Sequence, residues 1–126
     1  PVQLWIMLGT NDLLQERQFT AEDTAQRMEA FLQKIMAEPA VSDGKITLRL
    51  IAPAWMEYGA WVDEERLYLE SRLLGEEYRK VAECMGIEFT DAGKWEIPVV
   101  YDGVHFSEEG HHIFAEKIQE ELAWLR

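Results

Sequence analysis

The chain has 126 residues, of which 48% are hydrophobic, and a formal net charge of −12 at pH 7. That is enough apolar material for one domain with a moderate core, on a surface that repels phosphate backbones and anionic lipid heads, so neither nucleic acid nor a membrane is an expected partner. The longest apolar stretch, Val2 to Leu8, falls far short of the roughly 20 residues a membrane-spanning helix needs. The acidic side chains lie along helical stretches mixed with Lys and Arg, the pattern of a solvated face. Cys84 stands alone, which excludes an internal disulfide, and no signal-peptide pattern is visible. The expected location is the cytoplasm, although a chain that opens inside a strand leaves an upstream leader open.

Val2 to Leu8 (VQLWIML) is short, nearly all apolar and ends at Gly9, which predicts a strand buried on both faces. A polar loop follows. Thr20 then caps a helix with Glu22 and Asp23 in its first turn and Ala25, Met28, Leu32, Ile35 and Met36 on its apolar stripe, closed by Pro39. Ser42-Asp43-Gly44 is turn chemistry, and Ile46 to Ala52 (ITLRLIA) is a second strand ended by Pro53. After an aromatic loop from Trp55 to Trp61, Leu67, Ser71, Leu74, Tyr78, Val81 and Met85 form the stripe of a long helix, with Gly86 as its C-terminal stop. Ile87 to Thr90 is a short third strand, and Ser107 caps a last helix running to about Leu125.

Strand alternating with helix through short links predicts an α/β fold, with right-handed crossovers in a parallel sheet. Three strands are few for such a sheet. The first has nothing before it to cover its outer edge, and a bare apolar edge invites pairing. Either more chain precedes Pro1, or a partner supplies the missing strands.

In parallel sheets ligands bind at the carboxyl ends of the strands, which directs attention to Gly9-Thr10-Asn11-Asp12, to Pro53 through Trp61, and to Asp102-Gly103-Val104-His105. A loop bent at Gly103 lets the Asp102 carboxylate turn back onto His105 Nδ1–H, fixing the tautomer and leaving Nε2 free to take a proton. Asn11 can aim an amide N–H into the same crevice, where one donor to a developing oxyanion is worth about 3 kcal/mol of barrier. Singly these signals are weak: Asp-x-x-His is common by chance, and Gly-x-Asn-Asp also reads as an Asx turn. It is their joint occurrence, in order, after successive strands, that carries weight.

LWIMLGTNDL, residues 4 to 13, resembles block III of the GDSL/SGNH hydrolases, whose core is Gly-x-Asn-Asp. DGVHFSEEGHHIFAEKI, residues 102 to 118, resembles their block V, Asp-x-x-His followed by a Gly and the closing helix. The resemblance implies a three-layer α/β/α, flavodoxin-like fold with a parallel sheet whose N-terminal strands are missing here, residues 1–126 being the C-terminal part of a single domain. It further implies an ester hydrolase acting on a small ester substrate with no metal or cofactor. In that scheme Asn11 is an oxyanion donor, His105 the general base and acid, Asp102 the residue orienting it, and Asp12 a brace for its loop. Blocks I and II, with the nucleophilic Ser and a Gly backbone donor, are absent. Ser42 sits in a turn at the wrong end of the sheet, Ser71 is mid-helix on an apolar stripe, and Ser107 is a cap. The nucleophile is therefore expected on an N-terminal segment of the same protein or on a second subunit, and this chain alone is expected to be inactive.

Other residues have two readings. Trp55, Tyr58, Trp61 and Trp95 either line an acyl or sugar pocket or cover the core; Trp55 and Tyr58, with the turn residue Gly9, are the expected substrate contacts. His111 falls on the stripe with Phe114, Ile118, Leu122 and Leu125 and is expected in the core, with His112 exposed. Cys84 reads as a small buried hydrophobe, and Asp91 is a rival partner for His105. A metal site from Asp102, His105 and His111 or His112 lacks the i,i+4 His pair of a zinc helix. The alternative to an enzyme is a non-catalytic α/β binding module with a degenerate hydrolase site, docking through its bare first strand.

Overall fold

The computed structural model describes residues 2–123. In chain order it contains β1 (Val2–Ile6), α1 (Thr10–Gln15), α2 (Ala21–Met36), α3 (Pro39–Ser42), β2 (Ile46–Ala52), α4 (Glu65–Met85), β3 (Glu88–Asp91), a 3₁₀ turn (Ala92–Trp95) and α5 (Glu108–Ala123). The strands form one parallel sheet in the order β1-β2-β3, with Val2 opposite Ile46, Ile6 opposite Leu50, and Arg49 opposite Glu88.

Alternation along the strands divides the sheet into two faces. Ile6, Leu48, Leu50 and Ala52 meet Met28 and Leu32 of α2 and Leu67, Leu74 and Tyr78 of α4 in the main core. Arg49 points to the opposite face, where Nη1 donates to Thr90 Oγ1 at 2.8 Å and lies 3.8 Å from Glu121 of α5. Helices thus cover both faces, and the fold is α/β/α.

The local signals read from the sequence explain most boundaries. Thr20 and Asp23 form a reciprocal capping box at the start of α2. Gly86 ends α4 in the left-handed conformation, φ 70°. Ser107 Oγ accepts from Gly110 N–H at the start of α5.

Several expectations need correction. Residues 2–4 of β1 are not buried on both faces: Val2 is 60% and Leu4 40% exposed, because among the described residues only β2 pairs with this strand. The loop after β1 contains the short helix α1, held down by the fully buried Leu13. Pro39 does more than close α2. It opens α3 from a first-turn position, where its missing N–H costs nothing. Cys84 is exposed, since it lies one residue off the stripe that buries Val81 and half-buries Met85. His111 is exposed as well, for α5 buries only Gly110 and leaves Phe114 and Ile118 half-buried and Leu122 exposed. The expected end of this helix, Leu125, lies outside the described residues.

Candidate active site

The turn from β1 into α1 is set by a glycine and a tyrosine. Gly9 has φ 132°, a region closed to L side chains, and a Cβ there would stand 2.3 Å from the Tyr78 hydroxyl. That hydroxyl donates to Leu8 O at 2.8 Å from a ring with no exposed surface. Burial, with the nearby Asp12 charge, pushes the phenol far above its usual range, so it remains a neutral donor. Asp12 is paired with Arg27 at 3.3 Å. Asn11, between these anchors, is exposed on the first turn of α1. With Gly9 it lines a cleft of about 450 Å3 whose other walls include Pro53, Met56, Val104 and Phe106.

In the turn that supplies Val104 and Phe106 to that cleft, Asp102 and His105 are in contact. Asp102 is 4% exposed, and its Oδ2 lies 2.5 Å from His105 Nδ1. Its Oδ1 accepts from the backbone N–H groups of Val104 at 2.8 Å and His105 at 2.9 Å. Burial pushes this carboxyl up, but the two backbone donors and the imidazole outweigh it and hold the group below the usual carboxylate range. A carboxylate that is ionised, buried and fully occupied by donors cannot wander, so it orients the ring. The His105 side chain is 61% exposed, and its Nε2 makes no hydrogen bond to another described residue.

The loop after β2 grips this turn through its backbone. Glu57 N–H donates to Gly103 O at 2.9 Å, Ala60 N–H to Tyr101 O at 3.0 Å, and Trp61 N–H to Asp102 O at 3.0 Å. The approach is close enough to need glycine at Gly103, where φ is 83° and a Cβ would stand 2.0 Å from Glu57 O. Trp61 is thereby set edge-on to His105, ring centroids 5.0 Å apart and planes at 79°, and it shares a smaller cleft with Asn11, Leu14 and Gln15.

Of the residues singled out from the sequence, Asn11 and Gly9 therefore line the cleft after β1. Asp102 and His105 pair in the turn gripped by the loop after β2, and Trp61 links the two by packing on His105 and sharing the smaller cleft with Asn11. Trp55 lies in another cleft, with Arg72 and Gly93. Tyr58 is exposed and stacks on Tyr68, centroids 4.7 Å apart. Trp61, one of several loop aromatics in the sequence, is the one beside His105; its signal was the Gly59 two residues earlier, where a Cβ would meet Asp102 backbone at 2.6 Å. Asp91 is turned away, accepting from Gly93 N–H at 2.9 Å. Ser71 is buried between Met56 N–H and Tyr68 O, Ser42 bonds Pro39 O, and Ser107 bonds Pro98 O. None of the three contacts His105. His111 packs on Phe106, and no group of three His, Cys, Asp or Glu side chains among the described residues is placed to hold a metal ion.

No family model matches the chain, and no curated protein matches it by sequence. Solved structures do match. A carbohydrate acetylesterase from Sinorhizobium meliloti superposes with a TM-score of 0.81 at 22% identity, over 99% of this chain and 61% of its own. The native aryl esterase of M. smegmatis gives 0.81 at 21%, over the same shares. A carbohydrate acetylesterase family member from Sinorhizobium meliloti gives 0.74 at 20%, over 88% of this chain and 55% of its own. The chain has the fold of these esterases and spans about three fifths of their length.

Proposed function

We propose that this chain is the base-bearing part of a GDSL/SGNH-type serine ester hydrolase, cleaving small acyl esters such as aryl esters or acetylated carbohydrates. Its nucleophilic Ser is carried by an N-terminal segment of the same protein or by a second subunit that also pairs with β1. The observation that carries this reading is the 2.5 Å contact between buried Asp102 and exposed His105, in the turn whose Val104 and Phe106 line the same cleft as Asn11.

The chemistry follows from these groups. The Ser Oγ attacks the ester carbonyl carbon while His105 Nε2 takes its proton. Asp102 holds the ring by Nδ1–H and offsets the charge of the imidazolium. The negative oxygen of the tetrahedral intermediate accepts from the Asn11 amide. As the C–O bond breaks, His105 returns the proton to the departing alkoxide, and a water then repeats the sequence on the acyl-enzyme. Gly9 shapes the cleft floor; Trp55 and Tyr58 keep a substrate role only if the bound ester extends beyond Trp61.

When a Gly-Asp-Ser-bearing N-terminal segment is joined to this chain, p-nitrophenyl acetate should be hydrolysed, and His105→Ala should lower kcat by roughly a hundredfold or more. Unchanged turnover in that variant would overturn the assignment. A well-folded completed protein with no turnover would instead favour the non-catalytic binding module.

A further inference from the structure

Two clefts meet at Asn11. The larger lies against the strand ends. The smaller, about 280 Å3, is walled by Leu14, Gln15 and Trp61. We infer that the smaller cleft receives the alcohol portion of the ester and that Trp61 selects a ring there. This rests on the hydrolase reading above, and it concerns a wall that reading does not use.

In that reading the departing oxygen must come within about 3 Å of His105 Nε2 to take its proton. Whatever that oxygen carries therefore lies along the flank of the imidazole. Trp61 occupies the flank, 5.0 Å from the ring. It is 52% exposed, its backbone is pinned to Asp102 O and its ring packs on His105, so part of the indole is open beside the imidazole. An indole face stacks on an aromatic ring or on the C–H face of a pyranose, and gains little from a short alkyl chain. Leu14 adds an apolar wall and Gln15 a polar end for a ring substituent. The cleft at Trp55 does not compete: its cation, Arg72, is committed to Met56 O, Tyr68 O and Glu57.

The test uses the chain itself, labelled with 15N and titrated in separate arms with p-nitrophenol, methyl glucopyranoside and isobutanol. A ring-bearing alcohol should move the Trp61 indole N–H and the Asn11 side-chain amide together, and isobutanol should not. Whichever ring arm responds names the source. Trp61→Ala should weaken that binding roughly fivefold, the scale of one aromatic stacking contact, and Trp61→Phe should restore most of it. Movement of the Trp55 or Trp95 indole instead, an equal response to isobutanol, or undiminished binding by Trp61→Ala would overturn the inference. Ring binding needs no nucleophile, so the titration reads the cleft alone, while hydrolysis by the completed protein tests the enzyme reading separately.

Discussion

Gly9→Ala should destabilise the chain by about 3 kcal/mol, and the cost divides into two parts that a double-mutant cycle separates. Holding an alanine at φ 132° stores about 1–3 kcal/mol of backbone strain. Its Cβ would also collide with the Tyr78 hydroxyl at 2.3 Å. The buried ring cannot retreat without breaking its 2.8 Å bond to Leu8 O, a loss of about 1–1.5 kcal/mol. Tyr78→Phe removes that bond alone and should cost about the same 1–1.5 kcal/mol. In the Tyr78→Phe background the colliding atom is gone and the nearest ring carbon is 3.2 Å away, so Gly9→Ala should then cost only the strain. Urea denaturation of the four proteins should show the double variant more stable than the sum of the singles by about 1 kcal/mol. Additivity within about 0.5 kcal/mol, or a neutral Gly9→Ala, would refute the claim that these residues jointly set the turn presenting Asn11.

Two further variants concern the Asp102–His105 turn. Asp102→Asn should shift neutral His105 from the Nδ1–H to the Nε2–H tautomer, read in long-range 15N–1H spectra. Because the folded-state pKa of Asp102 is depressed, the stability that wild type holds over this variant should be full above the usual carboxylate range and fade as pH falls below it. An advantage that instead grew on acidification would contradict the assigned contacts. Gly103→Ala, at φ 83° and 2.0 Å from Glu57 O, should cost well over the ~1 kcal/mol of Gly44→Ala, which has φ 85° and open space around it. Equal costs, measured by denaturation, would mean the two loops are not in close contact.

The repeating elements were legible because each is written in one local signal: the apolar run of β2, the helical stripe of α4, the Thr20 cap, Gly86 as stop. The contact of Asp102 with His105 and the place of Asn11 on a cleft after β1 were legible for a different reason, since motif spacing put these residues in loops that lead into helices. What the sequence hid depended on contacts between distant segments. Trp61 is set apart from Trp55 and Tyr58 by the hydrogen bonds that tie residues 57–61 to 101–103, and within the loop only Gly59 hints at that close approach. The helix α1 was read as loop because its polar residues mask the single buried anchor, Leu13. His111 was assigned to the interior by its helical stripe and β1 by its continuous apolar run, but such patterns report which residues are apolar, not whether anything covers them. Exposed Val2 and Leu4 on β1 and exposed Leu122 on α5 are apolar positions without cover among the described residues.

The central claim is that His105 serves a serine that none of Ser42, Ser71 and Ser107 can replace. A fluorophosphonate probe followed by peptide mass mapping tests it directly. No labelled serine is expected in the 126-residue chain. When a Gly-Asp-Ser-bearing segment is joined to the chain, a single labelled serine is expected within that segment, and it should disappear in His105→Ala. Labelling of Ser42, Ser71 or Ser107 in the chain alone would contradict the claim.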